Sequence, residues 1–193
     1  ALNCVANGKL LKAGFFDDVW IQPAAGDAGG ALGAALFTWY QYLDHGRKAD
    51  GVSDKMQGSY LGPEFNDEDI KSFLDSKPIP YQKCSPEEIV EKVSDLLASE
   101  NVIGWFQGRM EFGPRALGKR SIIGDARSEK MQEIMNLKIK FREGFRPFAP
   151  SVLSEKVSEY FELEHSSPYM LLVAPVQTAR HKKIDRDQST LSG

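Results

Sequence analysis

Apolar positions along the chain fall into two periodicities. Ile89, Val93, Leu96 and Leu97 recur at i, i+4, i+7 and i+8, the single stripe of an amphipathic helix. Ahead of them Ser85 suits the N-cap, Pro86 the first helical position, and Glu88 completes a Ser-x-x-Glu capping box. Short apolar runs predict strands over 102–106, 121–124, 150–153 and 170–173, with a helix over 128–137. Upstream, 20–23 reads as a short strand, 34–43 as a helix and 67–74 as a short acidic helix. Helices and strands joined by brief connections predict an α/β or α+β domain. No internal repeat or low-complexity tract interrupts them.

Polar punctuation divides the chain. Residues 1–46 form one block, and 47–83, rich in Gly, Asp, Ser and Pro, reads as a linker. A second block opens at 84 and runs to 193. The first residues, Ala1 to Val5, offer neither Met nor a basic leader, and the last, Asp185 to Gly193, are polar. Both ends suit a piece cut from a longer protein.

With 193 residues, 41% of them hydrophobic and 26% charged, the composition is that of an ordinary soluble domain. No apolar run approaches the roughly 20 residues that span a bilayer. Cys4 and Cys84 cannot form a disulfide framework or a zinc cluster, so a reducing cytoplasm is expected. The net charge of -3 does not call for a nucleic acid or an anionic membrane, but its distribution is uneven. Residues 51–100 hold 5 Lys/Arg against 11 Asp/Glu, and residues 101–150 hold 10 against 5. A compact basic segment in an acidic chain points to a local anion site.

Three segments carry candidate chemistry. In Gly108–Ser121, Arg109, Arg115, Lys119 and Arg120 are interrupted by three glycines and a proline, directly after an apolar strand. Glycine lets a backbone approach a ligand, and the arginine fork matches two phosphate oxygens. An anion pocket is the expectation, against the plainer reading of a solvated basic loop. In Lys138–Ser151, the cations Lys138, Lys140 and Arg142 alternate with Ile139 and Phe141 at strand spacing. That puts three cations on one face, where an anion or an ion-pair network including Glu143 must compensate them. Phe145, Pro147, Phe148 and Pro150 read as packing residues. In Gly26–Ala35, small residues precede a helix, an arrangement that accepts a phosphate or simply lets a helix pack tightly. Asp27 alone is a weak metal ligand. His45, His165 and His181 are scattered, which argues against a Ser/His/Asp or Cys/His hydrolase. No Walker A motif is present.

Residues 102–121 (VIGWFQGRMEFGPRALGKRS) and 135–153 (MNLKIKFREGFRPFAPSVL) resemble the C-terminal domain of the NodU/CmcH carbamoyltransferase family. Residues 1–10 (ALNCVANGKL) and 23–36 (PAAGDAGGALGAAL) resemble the end of that family's N-terminal actin-like domain. The resemblance covers about 1–43 and 84–175; GPRALG and FREGFRPFAPS are its specific segments. KIKFREGFRPF is also similar to the Lys-x-Arg-Pro segment with which YrdC-like proteins hold ATP. Asn usually stands at Lys119 and Pro at Ala126, and these departures leave Lys119 a doubtful ligand.

The resemblance implies an α/β fold, a YrdC-like mixed sheet with helices over 84–193, preceded by a remnant of an actin-like (ASKHA) ATPase domain over 1–46. It implies an O-carbamoyltransferase. Carbamoyl phosphate and ATP give carbamoyl-adenylate, and the carbamoyl group then passes to a hydroxyl of a sugar or natural-product precursor. Arg109, Arg115, Lys140 and Arg142 are the expected catalytic residues. Arg120, Ser121, Lys138, Arg146, Ser151, Asn3, Gly29 and Gly30 are expected to bind substrate or ATP. Asp27 matches a ligand to a divalent metal, iron or magnesium, in the full-length protein. The family's His-x-x-x-His metal segment and a later HVD…R segment have no counterpart in 1–193, so this stretch by itself is expected to need the N-terminal domain of its own chain to complete transfer. An RNA-binding YrdC-like module, or a domain with a vestigial pocket, are the competing expectations. The first predicts a steep salt dependence with little preference for carbamoyl phosphate.

Overall fold

The computed structural model describes residues 1–182. Its elements in chain order are α1 (Cys4–Lys12), α2 (Asp27–Phe37), α3 (Asp67–Asp75), α4 (Pro86–Ala98), β1 (Ile103–Phe106), β2 (Arg120–Ile123), α5 (Met131–Ile134) and α6 (Val157–Tyr160). α2 and α5 each run on into a wide π-helical turn, Thr38–Tyr42 and Met135–Ile139. The polar tail expected at 185–193 lies outside the described residues.

Local signals placed α3 and α4 well, whereas α1 was not anticipated and α2 starts at Asp27, ahead of the expected 34–43. Ser85 accepts the Glu88 N–H at 3.2 Å while the Glu88 carboxylate accepts the Ser85 N–H at 2.7 Å. The same reciprocal bonds join Asn66 and Asp69 at the start of α3. Each such cap is worth about 1 kcal/mol. α4 then lies against β1, with Asn101 closing the turn between them onto the Leu96 carbonyl.

β1 and β2 pair antiparallel with Ile103 opposite Ile123 and Phe106 opposite Arg120. Among the described residues this two-stranded ribbon is the whole sheet. The structure therefore has a mixed α/β character without the larger mixed sheet expected from sequence. Residues 20–23, 150–153 and 170–173 are extended or turned but pair with no strand. Apolarity alone predicted them, and an apolar run needs a neighbour with free backbone groups before it becomes a strand. The alternating stretch 138–142 is not a strand either. It leaves the π-turn with Phe141 at φ 48°, and Phe141 is 85% exposed. The helix expected over 128–137 begins only at Met131.

The core is small and draws on distant parts of the chain. Met56, Tyr169 and Leu171 are buried together, with Leu2, Ile21, Leu32, Phe112 and Leu117 packed around them. Asn7 Nδ2 donates to the Leu171 carbonyl at 3.0 Å, and Gly8 sits so close to Val173 that a Cβ would meet its carbonyl oxygen at 2.5 Å. The Tyr169 hydroxyl donates to Asp54 and accepts the Gly58 N–H at 3.1 Å. Burial first, and then Asp54, push the Tyr169 phenol up to about 12. A second apolar knot joins Met131 and Met135 to Gly124, just past β2, where a Cβ would lie 2.7 Å from Met131.

Total accessible surface is 15391 Å². A compact monomer of 21.5 kDa exposes about 9,000 Å². The excess is carried partly by large apolar side chains, Phe15, Trp20 and Phe37 among them, and α2 buries none of its residues.

Candidate functional site

Two basic loops follow β1 and the π-turn after α5, respectively. The first, 107–119, connects β1 to β2 and is shaped from within by Glu111. That carboxylate has no exposed side-chain surface. Its Oε1 accepts the N–H groups of Leu117 at 2.7 Å, Lys119 at 2.8 Å and Arg120 at 3.3 Å. Its Oε2 accepts Arg120 Nε at 2.9 Å, and its backbone carbonyl accepts Arg120 Nη2 at 3.0 Å. Burial pushes the Glu111 carboxyl up. The Leu117 N–H, the Arg120 guanidinium and the Lys119 N–H outweigh it and hold the group at about 2. Gly113, at φ 122°, turns the loop where it passes Ala24, leaving 3.3 Å for a Cβ. The outer side is braced by 59–64. Gly62 and Met110 exchange backbone bonds with Pro63's help, Gly62 N–H to the Met110 carbonyl and Met110 N–H to the Pro63 carbonyl, both at 2.9 Å. Phe112 N–H reaches the Ser59 carbonyl at 2.6 Å. The stretch read as a linker thus carries α3 and a brace for this loop.

The second loop, 140–148, is organised by Asn136, which is fully buried. Its Nδ2 donates to the carbonyls of Gly144 at 2.9 Å and Arg146 at 2.8 Å. Its Oδ1 accepts Arg142 Nε at 2.7 Å, and its backbone carbonyl accepts the Arg142 N–H at 3.0 Å. The guanidinium of Arg142 lies 4.9 Å from the Phe148 ring centroid. Leu137, Phe141, Arg142 and Glu143 line an open groove beside it. Phe148 therefore packs as expected, whereas Pro147, Pro150 and Phe145, the last 78% exposed, do not.

The cations differ in whether their charge is compensated. Arg109 pairs with Glu64 at 3.1 Å and also donates to the Gly62 carbonyl at 2.8 Å. Arg120 pairs with Glu111, and Arg146 with Glu143 at 2.8 Å, which holds the Glu143 carboxyl below its ordinary value. Arg115 and Arg142 are instead held by neutral groups. Arg115 Nη2 donates to the Leu2 carbonyl at 2.9 Å, and its buried Nε has no acceptor among the described residues. Lys119 leans over the Tyr60 ring at 4.9 Å. Lys138 and Lys140 are exposed and enter no ion pair among the described residues.

The remaining residues singled out from sequence are spread more widely. Ser121 Oγ accepts the Gly118 N–H at 3.1 Å and so belongs to the first loop, while Ser151 is exposed beyond the second. Asn3 Oδ1 caps α1 through the Ala6 N–H at 3.0 Å. Gly29 lies tight against the Ala24 carbonyl, whereas Gly30 faces open space. Asp27 opens α2, and among the described residues no three His, Cys, Asp or Glu converge on a common point. A divalent ion takes four or more ligands, so these residues do not by themselves form a metal site. Glu111 and Asn136 were missed from sequence. Their signal was faint but present: one acid inside a basic run, and one amide inside the apolar stretch Ile134–Leu137.

Residues 1–36 match the family described as carbamoyltransferase N-terminus, and residues 94–188 the family described as carbamoyltransferase C-terminus. Among individual proteins, the uncharacterised protein sll1178 of Synechocystis sp. is 58% identical over 100% of this chain and 32% of its own length. Nodulation protein NolNO of Sinorhizobium fredii is 42% identical over 93% of this chain and 26% of its own. The 3'-hydroxymethylcephem-O-carbamoyltransferase of Streptomyces clavuligerus is 33% identical over 88% of this chain and 30% of its own. The chain thus spans about a third or less of each of these relatives. Both basic loops fall inside the second matched segment, and Arg115 reaches from it to Leu2 in the first.

Proposed function

The chain belongs to the carbamoyltransferase family, and on that premise we propose that it is part of an O-carbamoyltransferase whose basic loops hold carbamoyl phosphate and ATP. The observation that best supports this reading is that no carboxylate is bonded to Arg115 or Arg142 among the described residues. Each stands in a segment that resembles a family motif, and each is fixed by a neutral oxygen instead of a carboxylate. Two polyanions brought into contact repel each other, and positioned cations offset that repulsion. Such a transfer depends on positioning and charge, so no nucleophilic side chain is needed.

In this reading Arg115 and Arg142 contact phosphoryl oxygens directly, with Lys138 and Lys140 adding diffuse positive potential. Arg109 and Arg146 join them on exchanging Glu64 and Glu143 for substrate. Arg120 acts within the first loop through Glu111, and Ser121 and Ser151 donate hydrogen bonds. ATP yields pyrophosphate and carbamoyl phosphate yields phosphate, with one water consumed, leaving carbamoyl-adenylate. The carbamoyl group then passes to a hydroxyl of a small molecule, a sugar or natural-product precursor, in the cytoplasm. The nucleotide is taken by the segments that contain Asn3 and Gly30, with Gly29 packed close on the Ala24 carbonyl. Asp27 would serve as one ligand of a divalent metal, with the remaining ligands from elsewhere in the full-length protein, and such an ion would supply charge stabilisation for the anionic substrates.

The test is carbamoyl-phosphate-dependent ATP–pyrophosphate exchange by the full-length protein, with Arg142→Ala as control. Exchange that requires carbamoyl phosphate and vanishes in the variant supports the reading. Absence of exchange from folded, metal-loaded protein rejects the activation step.

A further inference from the structure

We infer that Asn136 is a positioning residue for anion recognition: it aims the Arg142 fork into the groove of Leu137, Phe141 and Glu143 without neutralising it. The inference rests on the reading above only in taking the anion to be a phosphoryl group. Asn136 is fully buried and lies on the π-turn, where the wider backbone path carries its side chain under the following loop. Its three side-chain bonds use two N–H donors and one acceptor, which among side chains of this size only a carboxamide supplies. Turning the amide over would set its NH2 against Arg142 Nε and its oxygen against two carbonyls, so the network fixes its orientation.

The consequence for Arg142 is specific. Nε is occupied by Asn136 and one face of the guanidinium by Phe148, while Nη1 and Nη2 have no partner among the described residues. One N–H of each lies along the edge that donates to two phosphate oxygens at once. The other arginine of this loop, Arg146, spends its Nε on Glu143. A neutral anchor thus gives Arg142 the rigidity of an ion pair while leaving its Nη groups unbonded; the neighbouring Glu143 carboxylate feels its charge but is itself bonded to Arg146. An aspartate at 136 would keep the acceptor, cancel the charge and face the Gly144 and Arg146 carbonyls with a repelling oxygen.

Inorganic pyrophosphate, titrated calorimetrically into the full-length protein, is the probe. Asn136→Asp is expected to weaken it at least tenfold at pH 8, to a level close to that of Arg142→Ala. The double variant Asn136→Asp/Arg142→Ala should bind no more weakly than Arg142→Ala alone, because both changes remove one interaction. A purely architectural Asn136 would instead add its loss to that of Arg142→Ala, and that result overturns the inference. So does unchanged affinity in Asn136→Asp, or a folded unaltered protein that does not bind pyrophosphate. Should Asn136→Asp not fold, nuclear magnetic resonance of the unaltered protein decides. The Arg142 Nε–H signal, identified by its loss in Arg142→Lys, must be protected from solvent exchange before and after pyrophosphate is added; rapid exchange overturns the inference. Pyrophosphate binding that follows this pattern without any carbamoyl-phosphate-dependent exchange rejects the proposed reaction while sustaining the role of Asn136.

Discussion

Glu111 takes the Arg120 Nε–H at 2.9 Å on one oxygen and gathers the N–H groups of Leu117, Lys119 and Arg120 on the other. A single buried carboxylate therefore ties the end of the first basic loop back to its beginning. Removing it leaves three backbone donors and a guanidinium without their acceptor. Glu111→Ala should cost about 3 kcal/mol or more, read as a lower urea midpoint and as faster hydrogen exchange at Leu117 and Lys119.

Acid should reproduce that loss. Glu111 is held at about 2 when folded, below its ordinary 4.5, so the unfolded chain takes up the proton first. Its stabilisation is complete above about pH 4.5 and fades as pH falls through 2. Unfolding free energies of the unaltered protein and Glu111→Gln should therefore converge between pH 5 and 2. A constant gap across that range contradicts the assignment.

Arg115 and Arg109 sit in the same loop but should not respond alike. Arg115→Ala removes an uncompensated charge and should raise the KM for carbamoyl phosphate at least tenfold. Arg109 is already satisfied by Glu64 and Gly62, so Arg109→Ala should have a clearly smaller effect. Steady-state kinetics of the full-length protein separates the two.

Gly113→Ala tests the seam between the loop and residues 1–24. At φ 122° with 3.3 Å to the Ala24 Cβ, an added methyl is strained and crowded together. A loss of about 1–3 kcal/mol is expected, with earlier proteolytic cleavage within 1–24.

Tyr169→Phe deletes the hydroxyl that bridges Asp54 and the Gly58 N–H in the small core, a change worth about 1–2 kcal/mol. Because the folded phenol is raised to about 12, its contribution is full below pH 10 and lost as pH rises toward 12. Ultraviolet titration should show a tyrosine ionising near pH 12 that is missing from the variant.

What the sequence made legible was whatever short-range chemistry decides. The cap at Ser85, the acidic helix opening at Asp67 and the apolar run ending at Phe106 all have their reasons within a few residues. The runs at 20–23, 150–153 and 170–173 depend on a partner edge that sequence does not display, and there the reading failed. The same division holds at the site. Glycines and arginines announced the first loop, whereas the start of the second was read as a strand face, and which arginines are bonded to a carboxylate was decided by Glu64, Glu111, Asn136 and Glu143 in three dimensions.

The bond from Asn7 to the Leu171 carbonyl spans 164 residues. At a translation rate of about 5–20 residues per second, Asn7 waits roughly ten to thirty seconds on the ribosome for its acceptor to be made. Throughout that interval α1 lacks its final neighbour, and the proposed anion-binding loops are synthesised only in the second half of the chain. Mutations that delay or weaken closure between the two halves should therefore lower cellular yield before they lower the activity of each molecule that succeeds.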